Sequence, residues 1–265
     1  MQGIVLRRSL YVSKRTVIKI GGSMLAELSE EFYKGLIERQ RSGEELIIVH
    51  GGGPAINEQL ERANIEVEFD NGLRKTTAQV LTIVKDVLFH QVNQSIVSQL
   101  QALGMNAISL NGYDHRFVHA TLLDEQRLGL VGDVKAVHTD VLEMALREQM
   151  VPVVSPLGLT ECGKQVNINA DTVASAVAKA LTAEEFIVVT DVDGVYIQAE
   201  KQAKLNEKDI KKFIEQGDIT GGMIPKVTGA LNSLSDHLQR VRIVSGKQRL
   251  TVESGTVIEK GTLVP

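Results

Sequence analysis

The chain of 265 residues is 43% hydrophobic and 23% charged, enough to bury about 70–75% of its surface in a globular core. Its 29 Lys and Arg against 33 Asp and Glu give a net charge of −4, with 4% aromatics and no Trp. That excludes the basic field and the stacking surface of a nucleic-acid binder. The lone Cys162 excludes an intrachain disulfide and fits a reducing, cytoplasmic compartment.

No apolar run reaches the roughly 18 residues of a membrane span. The basic N-terminal segment, with Arg7, Arg8, Lys14 and Arg15, has an apolar run of only 4–6, too short for a signal-peptide core. Beyond it, short β-branched runs alternate with longer helical patterns, which predicts an α/β protein on a mainly parallel sheet. The strands are 16–20 (TVIKI), 46–50 (LIIVH), 106–110, Val151–Ser155, 186–190 (FIVVT) and 241–244. Continuous apolar character in LIIV and FIVV marks strands covered on both faces. Alternating Ile65, Val67 and Phe69 predict a further strand, closed by a turn at Asp70-Asn71-Gly72. The spacing over 77–103 predicts one long helix stopped by Gly104. A hairpin is expected within 117–137, and a helix over 206–216 with Asn206 as its N-cap. The softest boundary falls at 181–185.

Two glycine turns follow strands directly, Gly21-Gly22-Ser23 and Gly51-Gly52-Gly53-Pro54. Glycine there lets backbone N–H groups approach an anion, and the next helix adds its positive end. A single turn of this kind is more often purely structural; two, one of them preceded by Lys19, favour an anion site. Lys19 itself either points to water from an edge strand or aims into the crevice where an open parallel sheet binds ligands. No G-x-x-x-x-G-K-[ST] or G-x-G-x-x-G is present, against a P-loop ATPase or a dinucleotide-binding dehydrogenase. Residues 189–200 miss a calcium loop at its first ligand, and His115 with His119 lack a third metal ligand. Asn167 and Asn169 share one side of an extended segment leading to Asp171, and Lys226 follows the pair Gly221-Gly222.

Taken together, KIGGS at 19–23, HGGGP at 50–54, NGLR at 71–74, VNINAD at 166–171, TDVDGV at 190–195 and GGMIPK at 221–226 resemble the amino acid kinase family. HGGGP with NGLR and VNINAD is most similar to its acetylglutamate branch. The motifs occur in the family's order across nearly the whole chain. The resemblance implies a three-layer αβα sandwich with two lobes. Residues 1–181 would bind the amino-acid substrate and carry the dimer contact, and 182–265 would bind ATP.

The implied reaction moves the γ-phosphoryl group of ATP, carried with Mg2+, to the side-chain carboxylate of N-acetyl-L-glutamate. Lys19 and Lys226 would neutralise the migrating group, with Asp171 between their ammonium groups. Gly22, Gly52 and Gly53 would lend backbone N–H groups, Gly21 would border the nucleotide, and Arg74 with Asn167 would hold the substrate's α-carboxylate. Thr190, Asp191, Val192, Asp193, Gly194 and Val195, with Asp218, Ile219, Thr220, Gly221 and Gly222, would enclose the nucleotide; no all-protein metal cage is expected. The partners implied are these small molecules and a second copy of the chain. Arginine-inhibited relatives are hexamers joined by an N-terminal helix, and the apolar spacing of 1–15 is not helical, so a homodimer without arginine feedback is expected. A sister kinase of a longer acid, such as an N-acylated aminoadipate, would share these motifs, one methylene being worth only about 1–3 kcal/mol. A non-catalytic sensor on the same fold is opposed by the joint presence of Lys19, Asp171 and Lys226.

Overall fold

The computed structural model describes residues 14–260. The segment 1–13, which carries most of the expectation about the N-terminal extension, lies outside them. Eight strands form the main sheet: β1 (Arg15–Ile20), β2 (Glu45–His50), β3 (Ala107–Asn111), β4 (Val151–Ser155), β5 (Glu185–Thr190), β6 (Lys204–Asn206), β7 (Arg240–Ser245) and β8 (Thr256–Glu259). Their order is β6-β8-β7-β5-β1-β2-β4-β3. The six from β7 to β3 run parallel, while β8 lies antiparallel to β7 and parallel to β6. Chain order reverses at β1, between β2 on one side and β5 on the other, and this is the switch point at which such sheets hold ligands.

Helices cover both faces, as the doubly apolar strands require. On one face Ile18, Ile20 and Ile48 pack with Phe32 and Leu36 of α1 (Glu30–Arg41) and with Ile96 and Leu100. On the other, Val17, Val49 and Phe186 meet α4 (Asp140–Arg147), α5 (Ala170–Ala180) and α7 (Met223–Ser233). Each fully buried aliphatic side chain is worth about 1.5–3 kcal/mol. The expected three-layer αβα architecture is therefore present. Between these faces in sequence lie α2 (Gly53–Arg62), the long helix α3 over 78–102, and α6 (Glu207–Glu215), which Asn206 caps through a reciprocal capping box with Asp209.

Three local expectations are refined. The alternation at Ile65 and Val67 is met by packing against α2 and α3; only Phe69–Asp70 pairs, with Leu73–Arg74, around Asn71 and Gly72 at φ 49° and 80°. The α3 helix is continuous, but Asp86–Asn93 winds as π-helix. Leu88 and Asn93, five residues apart, thereby both turn inward and are buried. The hairpin within 117–137 forms from Val118–Leu122 and Val131–Val137, and closes with Leu157–Thr160 and Gln165–Ile168 into a small four-stranded barrel beside the sheet.

At the amino ends of the strands, Glu185 is buried and accepts from Arg242 Nε at 2.6 Å, Lys14 Nζ at 3.0 Å and Arg39 Nη1 at 3.1 Å. Arg39 Nη1 also reaches Glu44 at 2.9 Å. Burial alone would raise the Glu185 pKa, but Arg242, Lys14 and Arg39 outweigh it and bring it down to about 2. Charge is closely balanced here.

Candidate active site

The carboxyl ends of β1, β2 and β5 are built differently. Lys19 shares the sheet face of Val17, on which α5 packs, and is largely buried along its stem. Its Nζ lies 3.0 Å from Asp171 Oδ1. Asn169 caps α5 by accepting from the Asp171 N–H at 2.8 Å, so the carboxylate sits in the helix's first turn, where the dipole favours it.

The two glycine turns touch. A Cβ on Gly22 would lie 2.7 Å from Gly52 N and 2.8 Å from Gly53 N, so only glycine leaves those two amides accessible. A Cβ on Gly52 would strike Leu88 Cδ2 at 2.6 Å, which ties the second turn to the π-helical stretch. Gly53 opens α2 with Pro54 in its first turn, and faces open space. Gly21 sits close to the ammonium group of Lys19.

Arg74 stands beside the second glycine turn. It is 7% exposed, donating through Nη2 to Asn57 Oδ1 at 2.5 Å and Gly53 O at 3.3 Å. Among the described residues its Nη1 is buried without a partner, and Phe69 lies 4.7 Å from the guanidinium. Burial lowers the Arg74 pKa, which leaves a poorly solvated cation in need of an anion. Asn167 Nδ2 donates to Thr76 Oγ1 at 3.2 Å, and Thr76 in turn donates to Arg74 O at 2.8 Å. Asn167 and Arg74 thus belong to one end.

On the other side of β1, a cavity of about 470 Å³ is lined by Asp191, Val192, Asp193, Gly194, Asp218, Ile219 and Thr220. Thr190 shapes its rim by accepting from Val192 N at 3.2 Å. Val195 does not face it: its side chain is core and its amide donates to Thr256 Oγ1 at 2.8 Å. Gly221 and Gly222 lead into α7, whose Lys226 reaches Asp191 Oδ1 at 2.5 Å; that contact holds the Asp191 carboxyl below its ordinary range. The expectation of one carboxylate between two ammonium groups is therefore not what the structure contains. Among the described residues Asp171 pairs with Lys19 and Asp191 with Lys226. Asp191 directly follows β5, the neighbour of β1, and faces the first turn of α7, whereas Asp171 rides on α5 over β1.

Residues 14–245 match the amino acid kinase family. Acetylglutamate kinase of Shouchella clausii is 46% identical over 244 residues, covering 92% of this chain and 95% of the relative. Acetylglutamate kinase of Bacillus subtilis is 44% identical over 252 residues, covering 94% and 98%. The chain belongs to the amino acid kinase family. A Streptococcus mutans protein of known crystal structure superposes with a TM-score of 0.81 at 34% identity, covering 93% of this chain and 99% of that one.

Several members of this kinase site carry no sequence signal of their own. Asn57 is one turn into α2, and only the fold shows that it grips Arg74. Tyr196, on the segment of Asp191 and Gly194, and Ser245, Lys247 and Gln248, at and past the end of β7, also line the cavity; their positions at strand ends were the available clue. Among the described residues no three His, Cys, Asp or Glu side chains are grouped to hold a metal, and no helix is long and apolar enough to cross a membrane.

Proposed function

We propose that the chain is an acetylglutamate kinase, transferring the γ-phosphoryl group of ATP to the side-chain carboxylate of N-acetyl-L-glutamate in arginine biosynthesis. The observation that carries the substrate assignment is the buried Arg74 guanidinium with its unpartnered Nη1. A substrate α-carboxylate supplies the missing acceptor, and the planar fork suits two oxygens. Relatives named acetylglutamate kinase at 42–46% identity support the same reading.

With Arg74 and Asn167 holding the α-carboxylate end, the reacting carboxylate lies toward the glycine turns. It is already ionised at neutral pH, so attack on the γ-phosphorus needs no base. A carboxylate oxygen forms the new P–O bond while the bond to the β,γ-bridging oxygen breaks and ADP leaves with its electron pair. The charge sits on the transferring oxygens. Lys19 and the N–H groups of Gly21, Gly22, Gly52 and Gly53 meet it from one side, and Lys226 neutralises the leaving side. Asp171 and Asp191 keep these two lysines oriented. Thr190 to Gly194 and Asp218 to Gly222 receive the nucleotide, with Val195 buttressing the loop from the core. Mg2+ would arrive with the triphosphate and would supply charge neutralisation there. Residues 1–181 form the amino-acid lobe and 182–265 the nucleotide lobe of a cytoplasmic homodimer.

Purified protein with MgATP should release ADP when N-acetyl-L-glutamate is added. A preference for N-acylated aminoadipate in parallel assays reassigns the substrate, and no ADP with either acid makes the protein a sensor.

A further inference from the structure

Beneath the second glycine turn lies a polar cluster with no role in the chemistry above. His50 ends β2 and is fully buried. Its Nδ1 lies 2.9 Å from Gly51 O. A carbonyl oxygen only accepts, so Nδ1 carries the proton. On the ring's other side Asn93 Nδ2 lies 3.1 Å from His50 Nε2. That amide nitrogen also donates to Val153 O at 2.9 Å and approaches Ser155 Oγ at 3.1 Å, which fixes the orientation of the Asn93 amide. Nε2 is therefore an acceptor. Ser155 Oγ, 3.3 Å from the same Nε2, reaches Leu88 O at 3.3 Å, and Leu88 is the residue packed on Gly52. The wide turn that brings Asn93 inward is the π-helical stretch. The cluster thus joins β2, β4 and α3 directly under the catalytic amides.

A trans peptide is planar, with its C=O and N–H on opposite sides. Holding Gly51 O on the buried side therefore aims the Gly52 N–H away from the core, and Gly52 N lies beside Gly22. We infer that His50 is a positioning residue: its neutral Nδ1–H tautomer, held by Asn93 and Ser155, pins the Gly51–Gly52 peptide so that the Gly52 amide faces the reacting oxygens. The inference rests on the kinase reading for what that amide binds, but the tautomer and the pinned peptide stand on the protein alone. Burial, which lowers the His50 pKa to about 4, keeps the ring in its neutral form at working pH, and a second proton on Nε2 would face the Asn93 NH2 group as donor against donor.

Two measurements test it. Long-range 1H–15N correlation on the wild-type protein at pH 7 should show His50 as the Nδ1–H tautomer; an Nε2–H ring overturns the inference without any substitution. In kinetics, His50→Leu should lower kcat about tenfold or more per folded molecule, with KM for acetylglutamate and for ATP changed less than about threefold. His50→Asn, whose amide nitrogen stands near the Nδ1 position, should recover most of the loss. A purely structural histidine would lower Tm in both variants and leave kcat per folded molecule untouched, and that result overturns the inference. An inactive wild type defeats the kinase reading instead, while the tautomer still judges the pinned peptide.

Discussion

The two ends of the central strands deal with charge in opposite ways. At the amino ends, Glu185 and Glu44 are ringed by Lys14, Arg39 and Arg242, so both carboxylates face cations inside the protein, with Arg39 Nε the one buried polar atom of the cluster left without a partner among the described residues. At the carboxyl ends, Asp171 and Asp191 are more than half exposed beside Lys19 and Lys226, and among the described residues Arg74 Nη1 has no acceptor. Donors outnumber acceptors at that end. One sheet carries a closed ionic cluster for stability and an open cationic rim for an anionic ligand. Removing a charge should accordingly cost folding at one end and turnover at the other.

The largest expected effect is Glu185→Gln. It leaves three cations facing one fewer carboxylate in a buried site, a loss of about 3–5 kcal/mol in unfolding free energy, with kcat per folded molecule unchanged. The pH dependence has a definite sign. The carboxyl titrates lower in the folded chain, at about 2, than unfolded, so its stabilisation is complete above the ordinary carboxylate range and drains away as pH falls toward 2. Denaturant titrations of wild type and variant from pH 7 to pH 3 should draw steadily closer below the ordinary carboxylate range. Parallel curves would mean that Glu185 is not held by those cations.

At the other end, Lys19→Met should lower turnover by about 10²–10³ with little change in KM, and Lys226→Met should act in the same direction. Removing either ammonium relieves a cationic rim, so Tm should hold or rise. A Lys19 variant that unfolds but keeps its kcat would reverse the contrast. Gly22→Ala tests the backbone part of the rim. Its Cβ meets Gly52 N and Gly53 N below 3 Å, and displacing those amides by about 1 Å should cost about 10²-fold in kcat, measured on protein whose fold is checked by circular dichroism.

Much of this was legible in the sequence because strand ends, glycine turns and capping residues are local signals. β1 and β2 with their glycines, β5, the Asn206 cap and the Asn71-Gly72 turn follow from short-range chemistry. What the chain could not announce were contacts made at long sequence separation. Asn93 reads as one more polar residue on a periodic helix until the π-turn brings it to His50 and Ser155, 43 and 62 residues away. The contact of Lys226 is of the same kind: the sequence reading set Asp171 between the two lysines, and the Lys226–Asp191 pair depends on α7 lying beside β5, which no local signal announces. Ile65 and Val67 alternate like a strand because side-chain burial alone produces that pattern, without any ladder.

Arg74→Lys makes a smaller and more selective change. A lysine can take one acceptor, so it can replace the bond to Asn57 or the one to the substrate, but not the fork that spans both. Losing a charge-assisted hydrogen bond of about 1.5–3 kcal/mol should raise KM for acetylglutamate roughly tenfold or more, with kcat and KM for ATP nearly constant. The asymmetry between the two substrates matters more than its size. Because Arg74 lies on the side of β1 away from the cavity proposed for the nucleotide, a KM effect on ATP would show that the two ends of the crevice communicate, and an unchanged KM for the acid would remove Arg74 from the site. Asn57→Ala sharpens the point: it frees Nη2 without touching charge, so its KM effect should be the smaller of the two and in the same direction.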